Sequence, residues 1–126
     1  MTDPTHVYTG WLLENSEREA LLAALPARYA QVVAHHVTLK FGDGAAEPPR
    51  DTTGQIVGEA DDGAGVQAMV VEVAGTAARP DGGTFHVTWS LAEGREARES
   101  NEVIAAHGWR PLARPLSLRL IAKPPD

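Results

Sequence analysis

The sequence predicts an α+β fold in which strands and two helices alternate along a single domain, residues 1–126. Three observations carry this prediction. Short runs rich in β-branched and aromatic residues are separated by clusters of Gly, Pro and Asp, which is typical of strands joined by turns. Two other stretches carry the signals of helix ends. A chain of 126 residues is long enough for one hydrophobic core and too short for two.

Six runs have the composition of strands, and two consecutive runs form a hairpin around the turn sequence Asp-Asp-Gly-Ala-Gly. The predicted strands are residues 6–14, 31–41, 54–60, 66–74, 84–91 and 116–122. Two segments rich in Gly, Pro and Asp, residues 42–53 and 75–83, are predicted to be loops.

Two helices lie between these strands. The first begins at a Ser-x-x-Glu capping box formed by Ser16 and Glu19, and Pro26 ends it. The second is predicted over residues 95–108 and ends at Gly108. Its buried face is predicted to include Ala97, Val103 and Ile104.

The composition excludes several kinds of site. There is no Cys, so the chain holds no disulfide, thiolate nucleophile or Cys-ligated metal. A net charge of −6 argues against a large nucleic-acid interface, because such interfaces need many Lys and Arg contacts to phosphates. No run approaches the length of a membrane span and the N-terminus lacks a signal-peptide pattern, so we expect a soluble, cytoplasmic protein.

The basic residues are unevenly distributed. Residues 1–78 carry four basic and eleven acidic side chains, whereas residues 79–126 carry seven basic and six acidic ones. A surface that attracts phosphate is therefore expected to use the second part of the chain, and most of its basic residues are expected to be ordinary solvated charges. The candidates are Arg95, Arg98, Arg110, Arg114, Arg119 and Lys123.

The tripeptide His-Val-Thr occurs twice, each time inside a predicted strand. Side chains alternate between the two faces of a strand, so His36 and Thr38 share one face and His86 and Thr88 share another. The residues between and around them are apolar, which predicts a sheet with one apolar face and one face that carries chemistry.

Two imidazoles with two hydroxyls suit phosphoryl chemistry. Hydrolysis of a phosphodiester needs one group to accept a proton from the nucleophile and another to donate one to the leaving oxygen. Imidazole performs either task near neutral pH, and a Thr hydroxyl can donate to a phosphate oxygen. No metal is required, and no His cluster has zinc-ligand spacing, so no metal or cofactor is predicted.

Other side chains are placed around this pair by the same strand geometry. Lys40 lies on the His36 face and Ser90 on the Thr88 face, so both are candidates to bind substrate, and Tyr8 is a candidate to stack on a base. For Lys40 a solvated strand end is an equal alternative. His35 is expected on the opposite face, with Val37, away from the chemistry. The three tryptophans, Trp11, Trp89 and Trp109, are expected to pack in the core rather than stack on a ligand.

The two motifs, His36-Val37-Thr38-Leu39 and His86-Val87-Thr88-Trp89, resemble the signature of the 2H phosphoesterase superfamily. The resemblance covers nearly the whole chain. Members of this superfamily include RNA-ligase-like proteins and the cyclic phosphodiesterase domains of tRNA ligases. It implies a bilobal α+β fold whose antiparallel sheets form a central cleft, with a helix packed on each lobe. It also implies that one of His36 and His86 acts as general base and the other as general acid, without saying which, and that Thr38 and Thr88 hold the phosphate.

We therefore expect a metal-independent phosphoesterase that acts on 2′,3′-cyclic phosphate ends of RNA or on related 2′-linked nucleotides. The expected partner is a small nucleotide or an RNA terminus, and we expect a monomer with no extended nucleic-acid interface and no membrane contact. A non-catalytic module that binds nucleotides or RNA ends is the alternative of a different class. A structural domain in which the two motifs are coincidental is a third.

Overall fold

A computed structural model describes residues 8–41 and 49–123 of the protein. The described residues form an α+β fold, as predicted, with one antiparallel sheet and two helices. The strands are β1 (Tyr8–Leu13), β2 (Gln31–Val32), β3 (His36–Phe41), β4 (Thr52–Asp61), β5 (Val66–Val73), β6 (His86–Leu91) and β7 (Arg110–Ala122). The helices are α1 (Asn15–Ala24) and α2 (Glu99–His107).

The sheet order is β2-β6-β5-β4-β7-β1-β3, so β2 and β3 lie at its two opposite edges. These edge strands are joined by only three residues, 33–35. The sheet must therefore bend until its two edges meet at this connection. Strand twist makes such bending possible over seven strands.

The prediction of one continuous strand over residues 31–41 is therefore wrong, because this segment forms two strands that pair with different partners. Its first part pairs with β6 and its second part with β1. The break lies at Ala34, whose backbone has φ 42°, the left-handed region that interrupts an extended strand. The composition of this run is that of a strand throughout, so only the tertiary pairing reveals the break.

Each face of the sheet has its own apolar cluster. The larger cluster includes Val37, Val87, Trp89 and Leu118 and is covered by α1 through Leu21. The smaller cluster lies on the other face, where Val103 and Ile104 of α2 pack on strand residues. Burial of these large side chains is the main stabilising contribution to the fold.

The start of α1 differs from the prediction. The N-cap is Glu14, whose carboxylate accepts hydrogen bonds from the backbone N–H groups of Ser16 and Glu17 at 3.1 and 2.9 Å. The predicted Ser16 and Glu19 capping box is therefore wrong, because Glu14 already occupies the first-turn donors. The hydrogen bonds from the Ser16 side chain and from the backbone N–H groups of Ser16 and Glu17 lower the pKa of the Glu14 carboxyl to about 2.

The second helix is shorter than predicted. It starts at Glu99 rather than residue 95, and Gly108 ends it with φ 69° as a glycine C-cap does. Residues 97 and 98 form a turn instead, and the Arg95 side chain bonds to Asp62 at 2.9 Å and to Glu99 at 3.1 Å. Val103 and Ile104 are buried, as predicted, and Ala97 packs against the smaller cluster.

The hairpin of β4 and β5 is confirmed, and the last strand begins six residues earlier than its predicted start at residue 116. Of the predicted loop 42–53, residues 42–48 lie outside the described part of the chain, and residues 52 and 53 belong to β4. Trp11 and Trp89 lie in the core. Trp109 does not, since it is 37% exposed and covers Gly58, where a Cβ would overlap the indole ring. Across the described residues, neither helix has the length and apolarity needed to cross a bilayer.

Candidate functional site

The pairing of β2 with β6 brings the two His-Val-Thr motifs together. Gln31 faces Leu91 and Val32 faces Ser90 in an antiparallel register. The Ala34 N–H then donates to the Thr88 carbonyl at 2.9 Å, which continues the same register. The chain then turns at Ala34 into β3, which begins at His36, whereas β6 begins at His86. Cα atoms of β3 and β6 accordingly come within 8 Å of each other, although the two strands are not neighbours in the sheet order.

Both histidines lie on the side of the sheet away from the larger apolar cluster. On β3, Val37 and Leu39 point into that cluster. Side chains alternate along a strand, so His36 points to the opposite side. On β6, His86 pairs with Val70, and Val70 belongs to the smaller cluster under α2. The side chains of His36 and His86 therefore share one side of the bent sheet.

His36 is largely buried, and its environment disfavours the charged ring. Burial lowers its pKa most, and the positive charges of His35, His86 and Lys123 lower it further, to about 4. A group with this pKa is neutral at pH 7. The His36 ring is therefore able to accept a proton, which is the state that a general base requires.

His86 is held more rigidly. It is 8% exposed, and its Nδ1 lies 2.8 Å from the Thr84 carbonyl oxygen. A carbonyl only accepts hydrogen bonds, so Nδ1 carries the proton and Nε2 of the neutral ring carries the lone pair. Burial lowers the pKa of His86, the Thr84 bond raises it, and the charges of Arg79 and Asp81 lower and raise it respectively.

Arg79 is a residue of this site that the sequence did not indicate. It is 6% exposed, its Nε donates to Asp81 at 2.8 Å, and its Nη2 donates to Asn101 at 3.1 Å. In the sequence it appears only as part of a turn rich in Gly and Pro, which gives no sign of burial. Its guanidinium places a fixed positive charge near His86, where an anionic phosphate would be attracted.

The two threonines have different surroundings. Thr38 is buried on the His36 side of β3. The Thr88 hydroxyl lies 2.8 Å from the Ser100 hydroxyl and donates to the Ala97 carbonyl at 3.1 Å. The hydroxyl of Thr88 is thus engaged with the segment that leads into α2 and with α2 itself.

The environment of Ser90 does not fit its predicted role in binding substrate. It is fully buried, its hydroxyl donates to Gln67, and it accepts the Tyr29 N–H at 3.2 Å. A β-bulge lies between its partner Gln67 and Ala68, and it changes the local alternation of side chains along β6. Ser90 is therefore part of a structural polar network.

The remaining predicted contacts lie at the edge of the site or outside the described residues. Lys40 is exposed on β3. The backbone of Tyr8 pairs with Phe41 in the sheet, and its side chain lies outside the described part. His35 was expected beside Val37 on the apolar face, and this is wrong, because the break at Ala34 turns it outward to solvent.

Three of the six predicted basic residues lie beside carboxylates. Arg95 pairs with Asp62, Arg98 pairs with Glu96 at 2.5 Å, and Arg110 lies 3.5 Å from Glu59. Lys123, just after β7, is the predicted basic residue whose charge acts on His36. Within residues 8–41 and 49–123, no three His, Asp or Glu side chains are grouped so that they could hold a metal ion.

The site therefore combines two buried, neutral imidazoles with nearby cationic side chains in an otherwise acidic protein. Comparison of the chain with protein-family models, with curated proteins and with solved structures finds no significant match.

Proposed function

We propose that this protein is a metal-independent phosphoesterase that hydrolyses 2′,3′-cyclic phosphate ends of RNA or related 2′-linked nucleotides, with His36 and His86 as general base and general acid. The observation that carries the proposal is the approach of β3 to β6, the two strands that begin at His36 and His86, with both side chains on one side of the sheet. Acid–base catalysis at one phosphorus needs two proton-transfer groups near each other, and the charge of His86 acts on the His36 ring.

The reaction follows from the two rings. One imidazole in its neutral form takes a proton from water as the water oxygen bonds to phosphorus. The bond from phosphorus to a ribose oxygen breaks, and the other imidazole, protonated, gives its proton to that oxygen. After the cycle the two rings have exchanged roles, and a proton transfer through solvent restores them.

Both rings have a lowered pKa in the free protein, so one of them must gain a proton when substrate binds. A bound phosphate supplies a negative charge, which raises the pKa of a neighbouring imidazole. Binding of substrate is therefore expected to be coupled to uptake of a proton. Lys123 and Arg79 supply the positive potential that draws the phosphate to the site.

We extend the proposal to the bilobal arrangement of the 2H phosphoesterases. The curvature of the sheet supports it, since β3 and β6 approach each other from different parts of the sheet order, and each helix covers a different face. We further propose a cytoplasmic monomer that takes a small nucleotide or an RNA terminus, because net charge −6 disfavours a long nucleic-acid footprint.

A second candidate is a module that binds a nucleotide or an RNA end without hydrolysing it. The engagement of the Thr88 hydroxyl with Ser100 and the Ala97 carbonyl favours this candidate, because one of the two hydroxyls assigned to the phosphate already has partners. Such a module would retain the positive potential of the site while lacking full stabilisation of the reacting phosphate.

The test is hydrolysis of a 2′,3′-cyclic nucleotide by purified protein in EDTA, followed by phosphorus NMR of the product. Turnover that disappears in the double variant His36→Ala, His86→Ala supports the phosphoesterase. Saturable binding of the nucleotide by the wild-type protein without turnover supports the binding module. Absence of both binding and turnover contradicts both candidates. His107→Ala is the matched control, because His107 is an exposed residue at the end of α2.

A further inference from the structure

The His-His dipeptide at the start of β3 forms a hydrogen bond between its own two rings. Nδ1 of His35 lies 3.0 Å from Nδ1 of His36, and the ring planes cross at 80° with centroids 5.2 Å apart. Two imidazole nitrogens in such a contact hold one hydrogen between them, so one ring donates and the other accepts. The contact joins an exposed ring to one that is largely buried.

The backbone around this pair is fixed from several directions. The Val33 and Ala34 N–H groups both donate to β6, at 2.9 Å each. Arg18 of α1 donates to the Ala34 carbonyl at 2.8 Å and to the Val33 carbonyl at 3.1 Å, and the Leu13 N–H donates to the His35 carbonyl at 3.1 Å.

These bonds hold Ala34 in a left-handed conformation that a non-glycine residue rarely adopts. A regular strand would place neighbouring side chains on opposite faces and would separate the two rings. The break at Ala34 is therefore what brings the His35 ring against the ring of His36. A strained backbone that positions one particular side chain is more often found at functional sites than elsewhere.

We propose that His35 is a positioning residue that selects the tautomer of His36, by accepting the Nδ1–H of His36 and so leaving the lone pair of His36 on Nε2. The neighbouring charges favour this direction. Lys123, just after β7, repels positive charge at His36, and Nδ1 of His36 is occupied by His35. A lone pair at Nε2 is better accommodated beside a cation than an N–H group is.

The same bond makes the tautomer respond to the charge of His35. A protonated His35 has no lone pair at Nδ1, so it must donate, and His36 must then accept at Nδ1 and carry its proton at Nε2. His36 in that form presents a donor instead of a base. Within residues 8–41 and 49–123, the titratable groups whose charges act on His36 include His35 on its own segment, His86 on β6 and Lys123 after β7.

The use of this tautomer in catalysis rests on the proposed phosphoesterase function, whereas the tautomer itself does not. It is measured in the free protein by two-bond ¹⁵N–¹H NMR of the histidine rings over a pH titration. We expect His36 in the Nδ1–H form at high pH, with conversion to the Nε2–H form at lower pH. In His35→Ala we expect His36 to change to the Nε2–H form at high pH.

A second variant, His35→Asn, tests the choice of the His36 tautomer separately from its dependence on the charge of His35. The carboxamide oxygen of His35→Asn can accept the Nδ1–H of His36 but cannot gain a proton. We expect it to preserve the high-pH tautomer and to abolish the pH-dependent conversion. His107→Ala is the control and leaves the His36 signals unchanged. The proposal is overturned if His36 shows the same tautomer at every pH in the wild-type protein and in His35→Ala.

Turnover provides a separate readout. If the wild-type protein hydrolyses a cyclic nucleotide, His35→Ala is expected to lower turnover by roughly ten- to a hundredfold, as loss of a group that orients a histidine ligand does elsewhere. His35→Asn is expected to recover most of it at high pH. A protein without turnover but with the expected NMR changes contradicts the phosphoesterase proposal and leaves the tautomer assignment supported.

Discussion

The two His-Val-Thr copies have the same sequence and different environments. The first begins β3, an edge strand, directly after the break at Ala34. The second begins β6, an interior strand in which every residue is buried. A backbone carbonyl fixes the His86 ring, whereas another titratable ring contacts His36. The tripeptide therefore supplies the functional groups, and the neighbours of each copy decide the protonation state of its ring.

The threonines show the same contrast. Thr88 is tied to Ser100 and to the Ala97 carbonyl, so its hydroxyl links β6 to α2. Among the described residues, no hydrogen bond from a helix reaches the Thr38 hydroxyl. Thr38 is thus better placed than Thr88 to offer its hydroxyl to a phosphate. The comparison leads to four predictions, which test whether the copies are equivalent in chemistry and unequal in structure.

The largest effect is expected from removal of either imidazole. His36→Ala and His86→Ala are each expected to lower turnover of a 2′,3′-cyclic nucleotide by roughly two to four orders of magnitude, because each removes one proton-transfer partner. Steady-state kinetics on variants with wild-type circular dichroism spectra measures this. Wild-type turnover in either variant would show that the copy is not part of the reaction.

The threonine pair is expected to separate stability from activity. Thr88→Val is expected to reduce the free energy of unfolding by about 1–3 kcal/mol, since it leaves the fully buried Ser100 hydroxyl without this partner. Thr38→Val is expected to change stability less and turnover more. Urea unfolding and initial rates on the same preparations give both quantities. A larger loss of stability in Thr38→Val would reverse the structural assignment of the two copies.

The pH dependence of stability distinguishes the two rings as well. The pKa of His36 is about 4 in the folded protein, below the ordinary value of 6.5, so the unfolded chain binds the proton more readily. The contribution of His36 to the free energy of unfolding is fully present above pH 6.5 and decreases as the pH falls towards 4. His86 acts in the same direction, because its pKa is also lowered.

One such group changes the free energy of unfolding by at most about 1.4 kcal/mol per pH unit. We expect His36→Gln to flatten the stability profile between pH 5 and 6.5, a window above the range in which carboxylates titrate in the unfolded chain. Urea unfolding at several pH values measures the profile. An unchanged slope in His36→Gln would mean that His36 is not buried in its neutral form.

The smallest effect is expected from removal of metal. Activity in EDTA should equal activity after addition of magnesium, manganese or zinc, because the two rings supply both proton transfers. The measurement is the initial rate before and after chelation, with His107→Ala as the control variant. Loss of activity in EDTA and recovery with one metal would contradict the two-histidine mechanism.

The sequence predicted the elements that depend on local patterns. The hairpin of β4 and β5 was predicted from two apolar runs around a Gly-rich turn, and the end of α2 from Gly108, since a turn and a glycine C-cap are short-range features. Both motif histidines lie in strands, as predicted, because strand composition is a local feature of the sequence. The start of α1 was missed, because Glu14 is not among the commonest N-cap residues.

Tertiary structure alone decided how these parts meet. The run 31–41 has strand composition from end to end, and it divides at Ala34 because its two parts pair with strands that are distant in the chain. That division turns His35 outward against His36 and lets β3 approach β6. Burial of Arg79 and Ser90, and the bond from Thr88 to α2, likewise depend on neighbours far along the chain. The sequence by itself determined which groups are present, whereas long-range pairing determined their burial, their protons and their partners.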